Sequence, residues 1–266
     1  ASSARPQDNR SLARSLQSLS MDISNTPYRL ESSRAQRLLV LLEELNLKHE
    51  IKTYKRNKDG LAPESLKKIH PLGKSPAVEI ELPGQTPFIL AESGAIFEYL
   101  CKHFGEHLIP DKGADGEKGI ESEEFRRNQY FMHYAEGSLM SLLAIAAVML
   151  NIKKAPVPFF IKPITRMITS KIDEAFLKPN FETHFEFLEG QLKTSPHGGS
   201  YLCGKQVTEA DFLMMFPIEI GKSWGALTPM KFPKLCGYLD LMEGRESYKA
   251  AERKVVEIEG SFKPVF

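Results

Sequence analysis

His70-Pro71-Leu72-Gly73-Lys74-Ser75-Pro76-Ala77-Val78 runs into a strand through a proline, and Leu90-Ala91-Glu92-Ser93-Gly94-Ala95-Ile96 runs out of a second strand into a helix. Between them, Ala77 to Leu82 and Pro87 to Leu90 read as two apolar strands, with Pro83-Gly84 marking the hairpin turn. Glu92 to His103 then repeats apolar residues at helical spacing. Upstream, Arg34 to Leu45 sets Leu38, Leu39, Leu41, Leu42 and Leu45 on one helical face with Glu43 and Glu44 opposite, and Asn46 stops the helix. Tyr28-Arg29-Leu30 closes a short strand before it, after a polar run, Asp22 to Pro27, that is poor strand sequence. Glu50 to Tyr54 alternates as another strand, and Pro63 to Ile69 reads as a short helix with proline in its first turn. The order is strand, helix, strand, short helix, hairpin, helix: an α/β layer with a mixed sheet, assigned to residues 23–104.

Beyond it the periodicity changes. Residues 105–120 form a polar linker with Gly105, Gly113, Gly116 and Gly119. From 121 to 266 the chain reads as all-helical, with segments Glu121 to Asn151, Ile164 to Lys193, Glu209 to Lys222, Pro233 to Glu243 and Ser247 to Ile258. Pro156, Pro158 and Pro163 separate the first two. The expected architecture is a small α/β domain followed by a helical one.

The composition is that of an ordinary globular chain: 266 residues, 42% hydrophobic and 26% charged. Thirty-five basic against 34 acidic residues leave a net charge of +1, which speaks against a general nucleic-acid binder. Cys101, Cys203 and Cys236 are scattered, without a CxxC or Cys/His spacing, so neither a disulfide framework nor a metal site is expected, and a reducing compartment is. The apolar stretch Leu139 to Leu150 is too short to span a bilayer. Residues 1–22 differ: Ala1 to Ser20 has six serines and Arg5, Arg10 and Arg14 against one acid, Asp8. That composition suits an organelle transit segment or a disordered arm.

Several residues admit two uses. Ser33 opens the first helix, and Ser33-Arg34-Ala35-Gln36 fits a capping box; the same hydroxyl at a helix N-terminus suits a thiolate. Glu92 and Ser93 open the helix after the hairpin. They suit capping, with Ser93 as N-cap, or the grip of a ligand that carries both carboxylate and ammonium. Pro76 leaves Ser75 with backbone groups free to pair with something else. Thr208-Glu209-Ala210-Asp211 reads as a structural capping box. There is no P-loop, no GxGxxG and no GxSxG, so nucleotide and α/β-hydrolase chemistry lack support.

Taken together, Leu30-Glu31-Ser32-Ser33-Arg34-Ala35-Gln36-Arg37, His70 to Val78, Leu90 to Ile96, Tyr134 to Met140 and Val207-Thr208-Glu209-Ala210-Asp211-Phe212 resemble a glutathione S-transferase of the fungal, yeast-like type. The resemblance runs from Leu30 to the C-terminus. It implies a thioredoxin-like N-terminal domain, a helical C-terminal domain, a homodimer, glutathione as co-substrate with no metal, and a cytoplasmic protein, with organelle import if the arm is native. It further implies a cis Pro76, with Ser75 pairing through its backbone with the cysteinyl part of glutathione. Glu92 and Ser93 would clamp the γ-glutamyl end, and Lys74 and His70 would face the glycyl carboxylate. Ser33, with Ser32 and Tyr28 as neighbours in register, would stabilise the thiolate. Tyr130, His133, Tyr134 and Trp224 would line a pocket for a small hydrophobic electrophile. The family cysteine that forms mixed disulfides has no counterpart at this position. Two other functions fit the same fold: a ligand-binding protein without turnover, favoured by the irregular first strand, and a tailoring isomerase or cyclase independent of glutathione, favoured by the aromatic Tyr130–Tyr134 region.

Overall fold

A computed structural model describes residues 24–31, 33–113 and 119–262. The arm, Asp22-Ile23, Ser32 and part of the linker lie outside them. The N-terminal half is a four-stranded sheet, β1 (Ser24–Leu30), β2 (Lys52–Tyr54), β3 (Ala77–Glu81) and β4 (Phe88–Ala91), in the order β2-β1-β3-β4. β1 and β2 are parallel, while β3 is antiparallel to both β1 and β4. Helices α1 (Ala35–Glu44) and α2 (Ser93–Phe104) accompany the sheet, and a 3-10 turn at Glu64–Lys68 carries the buried Leu66.

The first strand corrects the expectation of a short one. β1 has seven residues and includes Pro27, and Asn25 and Thr26 are buried despite their polarity. The N–H missing at Pro27 falls where pairing with β2 is interrupted, between the Asn25–His49 bridge and the Tyr28–Lys52 pair. Asn25 N and Nδ2 both donate to the Lys48 carbonyl, at 3.2 and 3.4 Å, which offsets part of the cost of its burial.

The C-terminal half is helical: α3 (Glu123–Lys154), α4 (Lys162–Ile172), α5 (Lys178–Lys193), α6 (Glu209–Ser223), α7 (Pro233–Glu243) and α8 (Glu246–Glu259). Alpha-helix gives way to a wider π turn at Ala135–Met140 within α3, and at Asp173–Leu177 between α4 and α5. At 32 residues, α3 is long and apolar enough to cross a bilayer, longer than its apolar centre suggested. Its inner face, from Phe125 through Phe131, Leu139 and Leu143, belongs to the core.

One apolar core joins the halves. Leu38 to Leu42 of α1 and Phe97 and Leu100 of α2 pack into the same cluster as Phe212 to Phe216 of α6. α6 starts with the expected capping box: Thr208 N and Oγ1 donate to Asp211 Oδ2 at 2.8 and 2.9 Å. α8 lies against α1. Arg29 of β1, fully buried, reaches it in a bidentate pair with Glu259, at 2.9 and 3.1 Å.

Candidate active site

The motifs at Ser33, His70–Pro76 and Glu92–Ser93 come from three parts of the chain. The sheet brings them together, because β1 leads to α1, and the hairpin of β3 and β4 leads from Ser75-Pro76 to Glu92. Leu30, Ser33, Arg34, Arg56, Leu61, His70, Lys74, Ser75, Pro76, Glu92 and Ser93 all line one cleft of about 320 Å³.

The Ser75–Pro76 peptide is cis. The Ser75 side chain does more than the motif suggested: its Oγ donates to the Tyr28 carbonyl at 3.0 Å and accepts from the Leu30 amide at 3.1 Å, tying this loop to the end of β1. Ser33 lies 3.5 Å away, Oγ to Oγ, and accepts from the Ala35 amide at 3.3 Å. The single Ser75 proton is engaged by Tyr28, so any hydrogen in the Ser33–Ser75 contact comes from Ser33. At 3.5 Å that contact is weak, which leaves the Ser33 proton available to an anion in the cleft.

The capping box expected at Ser33 does not form. Ser33 takes the amide two residues on, and Gln36 turns away to donate to Glu219 Oε2 of α6 at 3.3 Å. The pull comes from tertiary packing, because Gln36 is buried against α6, where Glu219 needs a partner. Tyr28 is also withdrawn from the thiol role. Its hydroxyl donates to Glu79 at 2.5 Å, its ring packs with Leu66 and Ala77, and burial, then Glu79, push its pKa upward.

At the other wall Glu92, not Ser93, occupies the N-cap position of α2, and neither side chain caps the helix. Glu92 has φ 70° and ψ 119°, a conformation that costs a non-glycine residue about 1–3 kcal/mol. The turn leaves the Glu92 carboxylate exposed, with buried Ser93 at the head of the helix, where free N–H groups and the positive dipole end meet the cleft.

The motifs did not single out Arg34 and Arg56 as site residues. Arg34 Nη1 donates to Glu136 Oε2 at 2.6 Å, and the fully buried Arg37 bonds the other Glu136 oxygen. Glu136 sits in the π turn of α3, so this ion pair joins the helical domain to the helix that begins at the cleft. Burial works against the Arg34 charge and Glu92 supports it; burial, then Arg34, push Arg37 downward. Arg34 adjoins Ser33 in sequence, which was the available signal. Arg56 follows β2 in a loop and had none.

The four aromatic-pocket residues do not line one common cavity. Tyr130, half-exposed, lines a separate cavity with Arg126, Arg127 and Phe187. Buried Tyr134 stacks on it and bonds His184 through its hydroxyl, and burial raises its pKa. His133 is exposed on the same helix. Trp224, at the end of α6, lines a third cavity with Leu150, Leu177 and Phe181. Tyr130 and Tyr134, four residues apart, share a face of α3, whereas Trp224 follows another helix altogether and meets neither of them in its cavity. The three cysteines are buried, and burial raises their thiols above the ordinary value. Among the described residues no His/Cys/Asp/Glu cluster could hold a metal ion.

The fold and cleft define a thioredoxin-like domain with a cleft of mixed polar and apolar lining, packed against a helical domain. The family model for the glutathione S-transferase N-terminal domain matches residues 28–102, and that for the C-terminal domain matches residues 149–246. The chain is 35% identical to Glutathione S-transferase 1 of Saccharomyces cerevisiae over 88% of its length and 96% of the relative's. It is 29% identical to Glutathione S-transferase 3 of Schizosaccharomyces pombe, over 86% of each. A glutathione transferase homolog from Lodderomyces elongisporus, solved with two GSH per subunit, superposes with a TM-score of 0.61 at 17% identity, over 86% of this chain and 97% of that one. The chain belongs to the glutathione S-transferases, of the fungal type, and is a glutathione transferase enzyme.

Proposed function

We propose that the enzyme joins the thiolate of glutathione to small hydrophobic electrophiles, using the cleft of Ser33, Ser75, Glu92 and Ser93. The supporting observation is the convergence of these residues with His70, Lys74 and Pro76 in one groove. Ser75 pairs through its backbone with the cysteinyl unit. Glu92 takes the γ-glutamyl ammonium, and Ser93 with the α2 N-terminus takes its carboxylate. Lys74 and His70 face the glycyl carboxylate.

Ser33 donates to the sulfur. A free thiol ionises near pH 8.5, and lowering that by about two units requires roughly 2.7 kcal/mol of preference for the thiolate. One charge-assisted hydrogen bond contributes about 1.5–3 kcal/mol, and the α1 N-terminus adds its dipole. The protein forms no covalent bond to the substrate; it ionises and aims the sulfur, whose lone pair forms the new carbon–sulfur bond. A homodimer and a cytoplasmic location belong to the same proposal and rest on the family resemblance. Non-catalytic binding loses its main support, because β1 is a regular strand.

Calorimetric titration with reduced glutathione at two pH values tests the site. Saturable binding with proton release is expected. No heat from protein that circular dichroism shows to be folded would reject it.

A further inference from the structure

The helical hairpin made by the end of α3 and by α4 plays no part in the cleft. From Ser141 to Ile172 it carries Lys153, Lys154, Lys162, Arg166 and Lys171 and no acidic residue, in a chain with 35 basic and 34 acidic residues overall. Lys153 pairs with Asp173; the other four are exposed and have no ion pair among the described residues. The same hairpin exposes apolar side chains. Ile145, Val148 and Ile152 form one stripe on α3, turned away from the core residues Leu142, Leu143 and Ala146. Ile164, Met167 and Ile168 form another on α4, of which only Thr169 is buried. At the tip, between Pro158 and α4, Phe159 is 83% and Phe160 63% exposed, their rings edge-to-face at 5.6 Å.

We propose that this hairpin docks the enzyme on an anionic lipid surface. Phe159 and Phe160 enter the boundary between headgroups and acyl chains, and Lys154, Lys162, Arg166 and Lys171 meet the lipid phosphates. Exposed aromatic and aliphatic residues edged by lysine and arginine, with no acid between Ser141 and Ile172, are what an interfacial segment requires. The charge also selects this occupant over a second copy of the chain. A two-fold contact sets a patch against itself, and here that opposes basic residues to basic residues. The hairpin lies on the bilayer and does not span it, because the inner face of α3 is bound into the protein core.

Co-sedimentation of the full-length protein with vesicles tests this. One set is phosphatidylcholine alone, the other phosphatidylcholine with one-third phosphatidylserine. We expect at least about tenfold tighter binding to the anionic set, weakening as salt rises. F159S/F160S should lose about tenfold of that binding, with circular dichroism and glutathione turnover unchanged, since both rings are exposed and neither lines the cleft. K154E/K162E should lose the preference for anionic lipid. Equal binding to both vesicle sets, no binding to either, or unchanged binding by F159S/F160S would overturn the proposal. So would light scattering in which F159S/F160S converts a dimer to monomer, since a second copy would then cover the patch.

Discussion

At the residue scale, Ser33 is the side chain on which the proposed chemistry turns. Its oxygen is occupied by the Ala35 amide, but its proton is not firmly held by Ser75. Ser33→Ala should therefore lower turnover by about ten- to a hundredfold, the equivalent of one charge-assisted hydrogen bond, while calorimetry finds glutathione affinity nearly kept. The pH–rate profile should move upward, because the thiol then ionises at a higher pH. A fall in melting temperature with unchanged turnover would leave Ser33 a structural residue only. The places of Ser33, Ser75, Glu92 and Ser93 at helix starts and before a strand proline were legible, but those places suit capping as well, and only the resemblance to the glutathione S-transferases chose a ligand over a cap. The conformations that suit them to a ligand were not legible. Nothing local to Leu90–Ile96 announces that Glu92 takes φ 70°; only closure of the sheet against α2 holds it there.

At the scale of elements, α6 carries a titratable group buried against its neighbours. Glu219 faces Gln36 of α1, Tyr248 and Glu252 of α8, Lys222 on its own helix and Glu243 of α7. Burial, partly offset by Tyr248, raises its pKa from the ordinary glutamate range to about 8. The folded protein thus holds a proton that the unfolded chain releases near pH 4.5. Between those values the folded state binds more protons than the unfolded one, so this group's contribution to stability falls as pH rises from about 4.5 to 8 and is constant above that. Glu219→Gln keeps the shape without the charge. Urea unfolding should find it more stable at pH 7 by on the order of 3 kcal/mol, with little difference at pH 4. The helix boundaries themselves were readable from apolar spacing; α7 runs from Pro233 to Glu243 as expected. β1 was not, because its burial comes from strands on both sides and a polar sequence gives no periodic signal for that.

At the scale of the molecule, polar contacts supplement the shared core in joining the two domains. Glu136 of the helical domain binds Arg34 and Arg37; Glu259 of the last helix binds Arg29 in the central strand. Arg29 is fully buried, so removing its partner leaves an uncompensated charge. Glu259→Ala should cost about 3–5 kcal/mol in denaturant unfolding. Arg29→Met with Glu259→Leu, which removes both charges and keeps volume, should recover most of that loss. If the double variant is as unstable as the single, the pair contributes more than compensation for its own burial.

The sequence by itself determined the order and type of most elements and the division into an α/β and a helical half. Those properties follow from apolar periodicity, proline and glycine placement and helix-start chemistry, all of which act over a few residues. Tertiary structure alone decided that Gln36 serves Glu219 and not a capping box, that Glu92 is strained, that Arg34 and Arg56 enter the cleft, and that Tyr130 and Trp224 line different cavities. Each depends on what a distant segment offers across the core, and a local pattern has no term for a partner more than a hundred residues away.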